Sequence, residues 1–332
     1  MKKEHLLIMR FSAIGDVVMM VPVVVALAEQ YPSLKITVLS RPFAKDFFSN
    51  LAPNVYFMSA DVKGEYKGVG GLNELFKRVY SKNITCVADF HGVLRTEYLR
   101  SRFAINGIKV EHINKHRKGR RKLCRQKNKV MQPLASPFDN YSDVLSKLGY
   151  PIVLNQEKVP FASLPSSFVV PKEETWIGIA PGASYLGKIY PSDKMQEVIE
   201  ILKEDIPNSK IFIFGEKENP YPETTNVHTM CDGFRSELAL MKKLKVMISM
   251  DSANMHLASL VGTPVVSVWG QTHPLAGFIG WNQTTDTAVQ LDLPCRPCSI
   301  FGNKKCEIGD YPCIKNITPE QIVDKVMQIV NR

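Results

Sequence analysis

The chain has 332 residues, with 42 Lys and Arg against 32 Asp and Glu and a formal net charge of +10. That length exceeds one ordinary domain of roughly 100–200 residues, so two domains are expected. At 45% hydrophobic and 22% charged, the chain can bury sizeable cores, which excludes a disordered chain, a collagen and a small disulfide scaffold.

Residues 1–11 carry two lysines and an apolar run that Arg10 interrupts. A signal peptide needs about 7–15 apolar residues and a small-residue cleavage site. The next run, 17–28, contains Pro22 and falls short of the roughly 20 residues of a membrane span. A cytoplasmic protein is expected. Its seven cysteines then imply reduced thiols, a metal site or catalysis rather than disulfides.

Apolar runs at 6–9, 35–39, 55–58 and 84–88 read as strands, with helices up to residue 30, at 43–49 and at 72–81. Alternating strands and helices argue for a parallel α/β sheet. A helix is expected near 134–149, followed by a proline-bearing connection over 151–171 where the domain boundary is drawn. The second half repeats the scheme. Strands are expected at 176–180, 210–214, 246–250 and 265–269, and helices at 192–204, at 236–244 and from residue 252 onward. An amphipathic helix at 319–330 begins after Thr318, a good N-cap. The expected architecture is two doubly wound domains, 1–155 and 170–332, facing a central cleft, with the last helix able to pack back on the first domain. Ligands of such folds bind at the carboxyl ends of the strands, so the loops after strands carry the information.

The charge is concentrated. Residues 109–129 hold ten cations (Lys109, Lys115, Arg117, Lys118, Arg120, Arg121, Lys122, Arg125, Lys127 and Lys129) against Glu111 alone, which is +9 of the +10. Such a segment suits nucleic acid, an anionic membrane surface, a phosphorylated substrate, or a solvated face with no partner. The window has no Phe, Tyr or Trp to stack on bases, which weighs against a nucleic-acid-binding protein.

Five loops are candidates for chemistry. Ser12 to Asp16 follows the first strand. Gly15 permits a tight turn, and Asp16 is either a general base or an ordinary helix cap. Met250 to His256 joins a strand to a helix N-terminus, whose open N–H groups suit a phosphate. Ser252 adds a hydroxyl there, and His256 shares its helix face. Ser184 and Lys188 lie in a small polar loop, where a lysine can neutralise a diphosphate. Glu216 and Glu218 follow a strand and could accept bonds from ribose hydroxyls. Cys295, Cys298, Cys306 and Cys313 have a spacing open to zinc or to packed reduced thiols.

The ordered set of segments RFSAIGDVVMMVPVVVALAEQYP, APGAS with K.YP, and SMDSANMHLASLVGTPVVSVWGQTHP resembles the ADP-heptose:lipopolysaccharide heptosyltransferases, glycosyltransferase family 9. The cysteine-rich tail is similar to that of heptosyltransferase II-like members. The resemblance implies a GT-B fold and an inverting, metal-independent transfer with no cofactor. Matched by position, it implies Asp16 as general base and Lys188 as the charge on the leaving diphosphate. Ser184, Glu218, Asp251, Ser252, Ala253 and His256 would join Lys188 in the donor site. Two residues depart from the family: Ala253 stands where a glycine is usual, and Tyr190 where a tryptophan is common. The implied partners are ADP-heptose or another nucleotide sugar and an anionic lipid A-type glycolipid at the inner membrane, with no nucleic acid. Lys115, Arg117, Lys118, Arg120 and Arg121 are the expected acceptor or membrane contacts. The alternative is a GT-B transferase or epimerase that uses another nucleotide sugar.

Overall fold

The computed structural model describes residues 4–215, 221–222, 226–230 and 232–332. These form two compact units, Met1–Lys115 with Ser136–Lys158, and His116–Ala135 with Val159–Arg332.

The first unit carries a five-stranded parallel sheet of β1 (His5–Met9), β2 (Lys35–Ser40), β3 (Val55–Ser59), β4 (Cys86–Asp89) and β5 (Lys109–His112), in the order β3-β2-β1-β4-β5. All five residues of β1 are buried, as a strand covered on both faces requires. Its helices are α1 (Ile14–Val18), α2 (Met20–Gln30), α3 (Lys45–Phe48), α4 (Gly68–Tyr80) and α5 (Leu94–Ile105). Next in the chain, α6 (Arg117–Leu123) belongs to the second unit, and α7 (Pro137–Leu148) returns to the first. α7 opens on a capping box. Ser136 Oγ accepts from Asp139 N at 3.1 Å, and the Asp139 carboxylate accepts from Ser136 N at 3.0 Å. It ends at Gly149, whose φ of 102° is available to glycine without strain.

The second unit carries six parallel strands, β6 (Thr175–Ala180), β7 (Ser209–Phe214), β8 (Val227–Met230), β9 (Val246–Met250), β10 (Val265–Trp269) and β11 (Ala288–Gln290), in the order β11-β10-β9-β6-β7-β8. Helices α8 (Ser192–Asp205), α9 (Phe234–Met241), α10 (Ala253–Leu260), α11 (Pro312–Lys315) and α12 (Pro319–Val330) surround it. Thr318 caps α12, its Oγ1 accepting from Gln321 N at 3.4 Å. α12 buries Ile322, Val323, Val326 and Ile329 in the core shared with α8. The last helix is thus a core element of the second unit.

Both sheets reverse direction once. The chain runs from β1 outward through β2 and β3, then resumes on the other side of β1 with β4. In the second sheet the reversal lies between β6 and β9. The loops after β1 and β4, and those after β6 and β9, therefore open side by side at the two switch points where such sheets take ligands.

Segment 116–135 was expected in the first domain, and its contacts correct that. Leu123 is fully buried in the second unit, and Leu134 N donates to Leu275 O at 2.9 Å. Lys129 Nζ donates to the carbonyls of Cys295 and Pro297 at 2.7 and 3.0 Å. These partners lie more than a hundred residues away, beyond the reach of local pattern reading.

Candidate active site

At the first switch point Arg10 directly follows β1 and Asp16 stands in the first turn of α1. Asp16 Oδ2 accepts from Ala13 N at 3.3 Å and pairs with Arg10 Nη2 at 2.7 Å. Arg10 also donates to the Phe90 carbonyl after β4, and its guanidinium lies 5.9 Å from the centre of the Tyr141 ring on α7. Tyr141 in turn donates its hydroxyl to Asp16 O at 3.0 Å. Burial, the largest single influence, opposes the charge on Arg10, but Asp16, Tyr141 and Asp89 together outweigh it and raise the guanidinium pKa. A fixed cation thus holds a half-buried carboxylate at the end of the sheet.

The loop after β4 adds His91. Its Nε2 lies 3.3 Å from Ser12 Oγ. Burial pushes its pKa down to about 3, helped by Arg10 and Lys115, so the ring is neutral at neutral pH. The fully buried Asp89 orders this loop, its Oδ1 accepting from His91 N and Gly92 N at 2.9 Å each. Arg100 Nη1 lies 3.6 Å from the other oxygen of Asp89. Reading by sequence alone picked out Asp16 and missed Arg10, Asp89, His91 and Tyr141. The available signal was the run Asp89-Phe90-His91-Gly92 directly after a buried strand.

At the second switch point Lys188, in a single 3-10 turn after β6, pairs with Asp251 after β9, Nζ to Oδ2 3.1 Å. Both side chains are largely buried. Ser252 is the N-cap residue of α10 and its Oγ lies 3.4 Å from Ser249 Oγ. The Ser252 side chain makes no cap hydrogen bond to the first turn of α10, which leaves the amides of that turn to suit an anion. Ala253 takes the first helical position and is not among the residues with positive φ, so alanine fits there without strain. His256 is buried one turn further along, and its carbonyl accepts from Ser259 Oγ at 2.8 Å. Gly215, at φ +81°, closes against Asn254 of α10, where an added Cβ would stand 2.7 Å from Nδ2.

The remaining expected residues separate. Ser184 is exposed and makes no hydrogen bond to Lys188 or Asp251 among the described residues. Glu216 and Glu218 lie outside the described residues. Tyr190 is a core residue, its hydroxyl donating to Ile317 O at 3.0 Å. Lys115 belongs to the first unit, beside Gly92, whereas Arg117, Lys118, Arg120 and Arg121 ride on α6 in the second. Cys295, Cys298, Cys306 and Cys313 are free thiols. Among the described residues no group of three or more His, Cys, Asp or Glu is arranged to hold a metal ion. No described helix is long and apolar enough to cross a membrane.

The family model for glycosyltransferase family 9 (heptosyltransferase) matches residues 129–307, more than half of the chain. The chain belongs to glycosyltransferase family 9. It is therefore a glycosyltransferase with a GT-B-type fold. It is 22% identical over 293 residues to the lipopolysaccharide core heptosyltransferase OpsX of Haemophilus influenzae, covering 82% of this chain and 80% of that protein. A second relative is the lipooligosaccharide heptosyltransferase 2 of Campylobacter jejuni, 25% identical over 133 residues, or 40% of this chain. That match spans only 36% of the relative's own length. Among solved structures, E. coli heptosyltransferase WaaC with ADP superposes with a TM-score of 0.68 at 15% identity, covering 98% of this chain and 99% of that one.

Proposed function

We propose that this family 9 glycosyltransferase moves a heptose from ADP-heptose to the inner core of a lipopolysaccharide precursor, with inversion at the anomeric carbon. The names of the two relatives support the acceptor, and the ADP of the WaaC structure supports the nucleotide. The observation that carries the reading is the buried Lys188–Asp251 pair beside the uncapped first turn of α10. A cation and open amides at a sheet's switch point suit a diphosphate.

In the proposed reaction Asp16 takes the proton of the acceptor hydroxyl while that oxygen bonds to the anomeric carbon. The bond from that carbon to the diphosphate oxygen breaks on the opposite face, and ADP leaves with the electron pair. Lys188 and the α10 amides stabilise the charge that grows on the diphosphate, the role a metal ion fills in other transferases. Ser184, Glu218, Asp251, Ser252, Ala253 and His256 complete the donor site in this proposal. An anionic, lipid-anchored acceptor puts the enzyme to work as a peripheral protein at the cytoplasmic face of the inner membrane.

The test offers the protein ADP-heptose, UDP-sugars and GDP-sugars together with a heptose-free lipid acceptor. Release of ADP, with a mass gain of one heptose on the lipid, is the expected result. Consumption of a UDP- or GDP-sugar with ADP-heptose left intact overturns the donor assignment.

A further inference from the structure

We infer that the face built from α6, the segment after it and the loop around residues 301–308 is a docking surface for an anionic phospholipid bilayer. The inference deepens the proposal of a lipid-anchored acceptor by naming the surface that meets the membrane. α6 and its continuation expose Arg117, Lys118, Arg121, Lys122, Arg125 and Lys127. None of the six forms an ion pair among the described residues. Lys304 and Lys305 are exposed on the adjoining loop.

Apolar side chains stand among these cations. Met131, Phe301 and Ile308 are 47%, 47% and 60% exposed. Their contacts join them to α6. Val130 N, next to Met131, donates to Lys122 O at 3.2 Å. Gln126 Nε2 donates to Glu307 Oε2, next to Ile308, at 2.8 Å. Arg120 lies 5.6 Å from the Phe301 ring centre and 5.9 Å from that of Phe278.

The same contacts make the face rigid. Arg120 and Lys129 are spent on fixing the segment to the unit, and Leu123 is its buried anchor. The surrounding cations are thereby presented to solvent on a fixed support. A polar face rich in Lys and Arg with apolar side chains beside it is the pattern of interfacial binding. Exposed Met131 and Ile308 gain nothing against a polyphosphate strand, whereas they can enter the boundary between headgroups and acyl chains. This favours lipid over nucleic acid.

The test floats the full chain with phosphatidylcholine vesicles and with vesicles in which one lipid in three is phosphatidylglycerol. Selective flotation with the phosphatidylglycerol vesicles is expected, weakening as salt rises. Each near-surface cation contributes about fivefold in affinity, so R117Q/K118Q/R121Q/K122Q should lose on the order of a hundredfold or more. Ile308→Ser should lower the part of binding that survives high salt. Melting temperature and ADP affinity of the variants serve as the folding check and should match the unmodified chain. Equal flotation of the quadruple variant, or equal binding to both vesicles, overturns the inference. So does retention of single-stranded RNA at physiological salt with no flotation. Flotation without any turnover of ADP-heptose removes the proposed function and leaves this surface standing.

Discussion

Arg10 Nη2 stands 2.7 Å from Asp16 Oδ2, and the same guanidinium is tied to the Phe90 carbonyl on the neighbouring strand's end. The pair links two loops of one switch point, so the position of the carboxylate depends on the arginine's anchoring as much as on α1. As the proposed base, Asp16→Asn should lower kcat by about 10²- to 10⁴-fold and leave ADP affinity unchanged. Arg10→Met should lower kcat at an unchanged donor KM. Arg10→Lys should restore part of the loss, because a point charge replaces the fork that reaches both Asp16 and Phe90. Steady-state kinetics decide it. Full activity of Asp16→Asn removes the base, and a donor-KM effect confined to Arg10→Met removes the positioning role.

His91 gives the first unit a pH-dependent stability. Its ordinary value is 6.5 and its folded value about 3, lowered chiefly by burial. Below pH 6.5 the unfolded chain binds a proton that the folded chain refuses. The full contribution is present above pH 6.5 and is lost as pH falls toward 3. One such histidine gives a slope approaching about 1.4 kcal/mol per pH unit. In the second unit His273 falls to about 4, through burial and then Arg296, while its Nδ1 accepts from Leu275 N at 3.0 Å. Urea midpoints measured between pH 6.5 and 5, above the carboxylate range, should fall steeply for the unmodified chain and less so for His91→Gln or His273→Gln. A variant curve parallel to the original would show that the histidine already takes up its proton in the folded state.

The strands of both sheets were legible because buried parallel strands are continuous apolar runs, as in residues 6–9 and 246–250. β5, β8 and β11 were not, since β5 buries none of its residues, β8 buries one of its four and β11 has three. α5 was missed because only Thr96, Leu99 and Phe103 of its twelve residues are buried, which leaves a thin apolar stripe. Asp16, Lys188 and Asp251 could be read from their places just after strands. Their neighbours across the sheet could not: Arg10 on the Phe90 carbonyl, and Lys188 next to Asp251, follow from strand order, which is a non-local property. The basic window was legible as charge but not as address. Continuity of sequence suggested the first domain, while Lys129 and Leu134 are bonded to residues 295, 297 and 275 of the second unit.

The Lys188–Asp251 pair makes a prediction that a surface ion pair would not. Both side chains are mostly buried, so removing one partner should cost about 3–5 kcal/mol. Asp251→Asn leaves a buried ammonium without its anion, and a bound diphosphate can supply one. Lys188→Met leaves a carboxylate to which a diphosphate adds more negative charge. Saturating ADP should therefore raise the melting temperature of Asp251→Asn by more than that of the unmodified chain, and that of Lys188→Met by less. The reverse order would mean that the diphosphate does not reach this pair.

Gly302 supports Lys188 from the cysteine-rich tail. Its φ is +75°, and an added Cβ would stand 2.5 Å from both Cγ and Cδ of Lys188. Its own N–H donates to Ser299 Oγ at 2.9 Å, so the turn cannot swing away freely. Gly302→Ala should thus strain the backbone and push the lysine stem from its place. Gly107→Ala separates the two effects: Gly107 has φ +76° with nothing within 4 Å of the added carbon. An L residue forced into this left-handed region costs about 1–2 kcal/mol, so both variants should lose comparable stability. Only Gly302→Ala should also weaken ADP binding and lower kcat, because only it displaces the cation. Calorimetric titration of ADP into both variants tests this. Equal affinities would show that the stem of Lys188 yields to the methyl group without moving its ammonium.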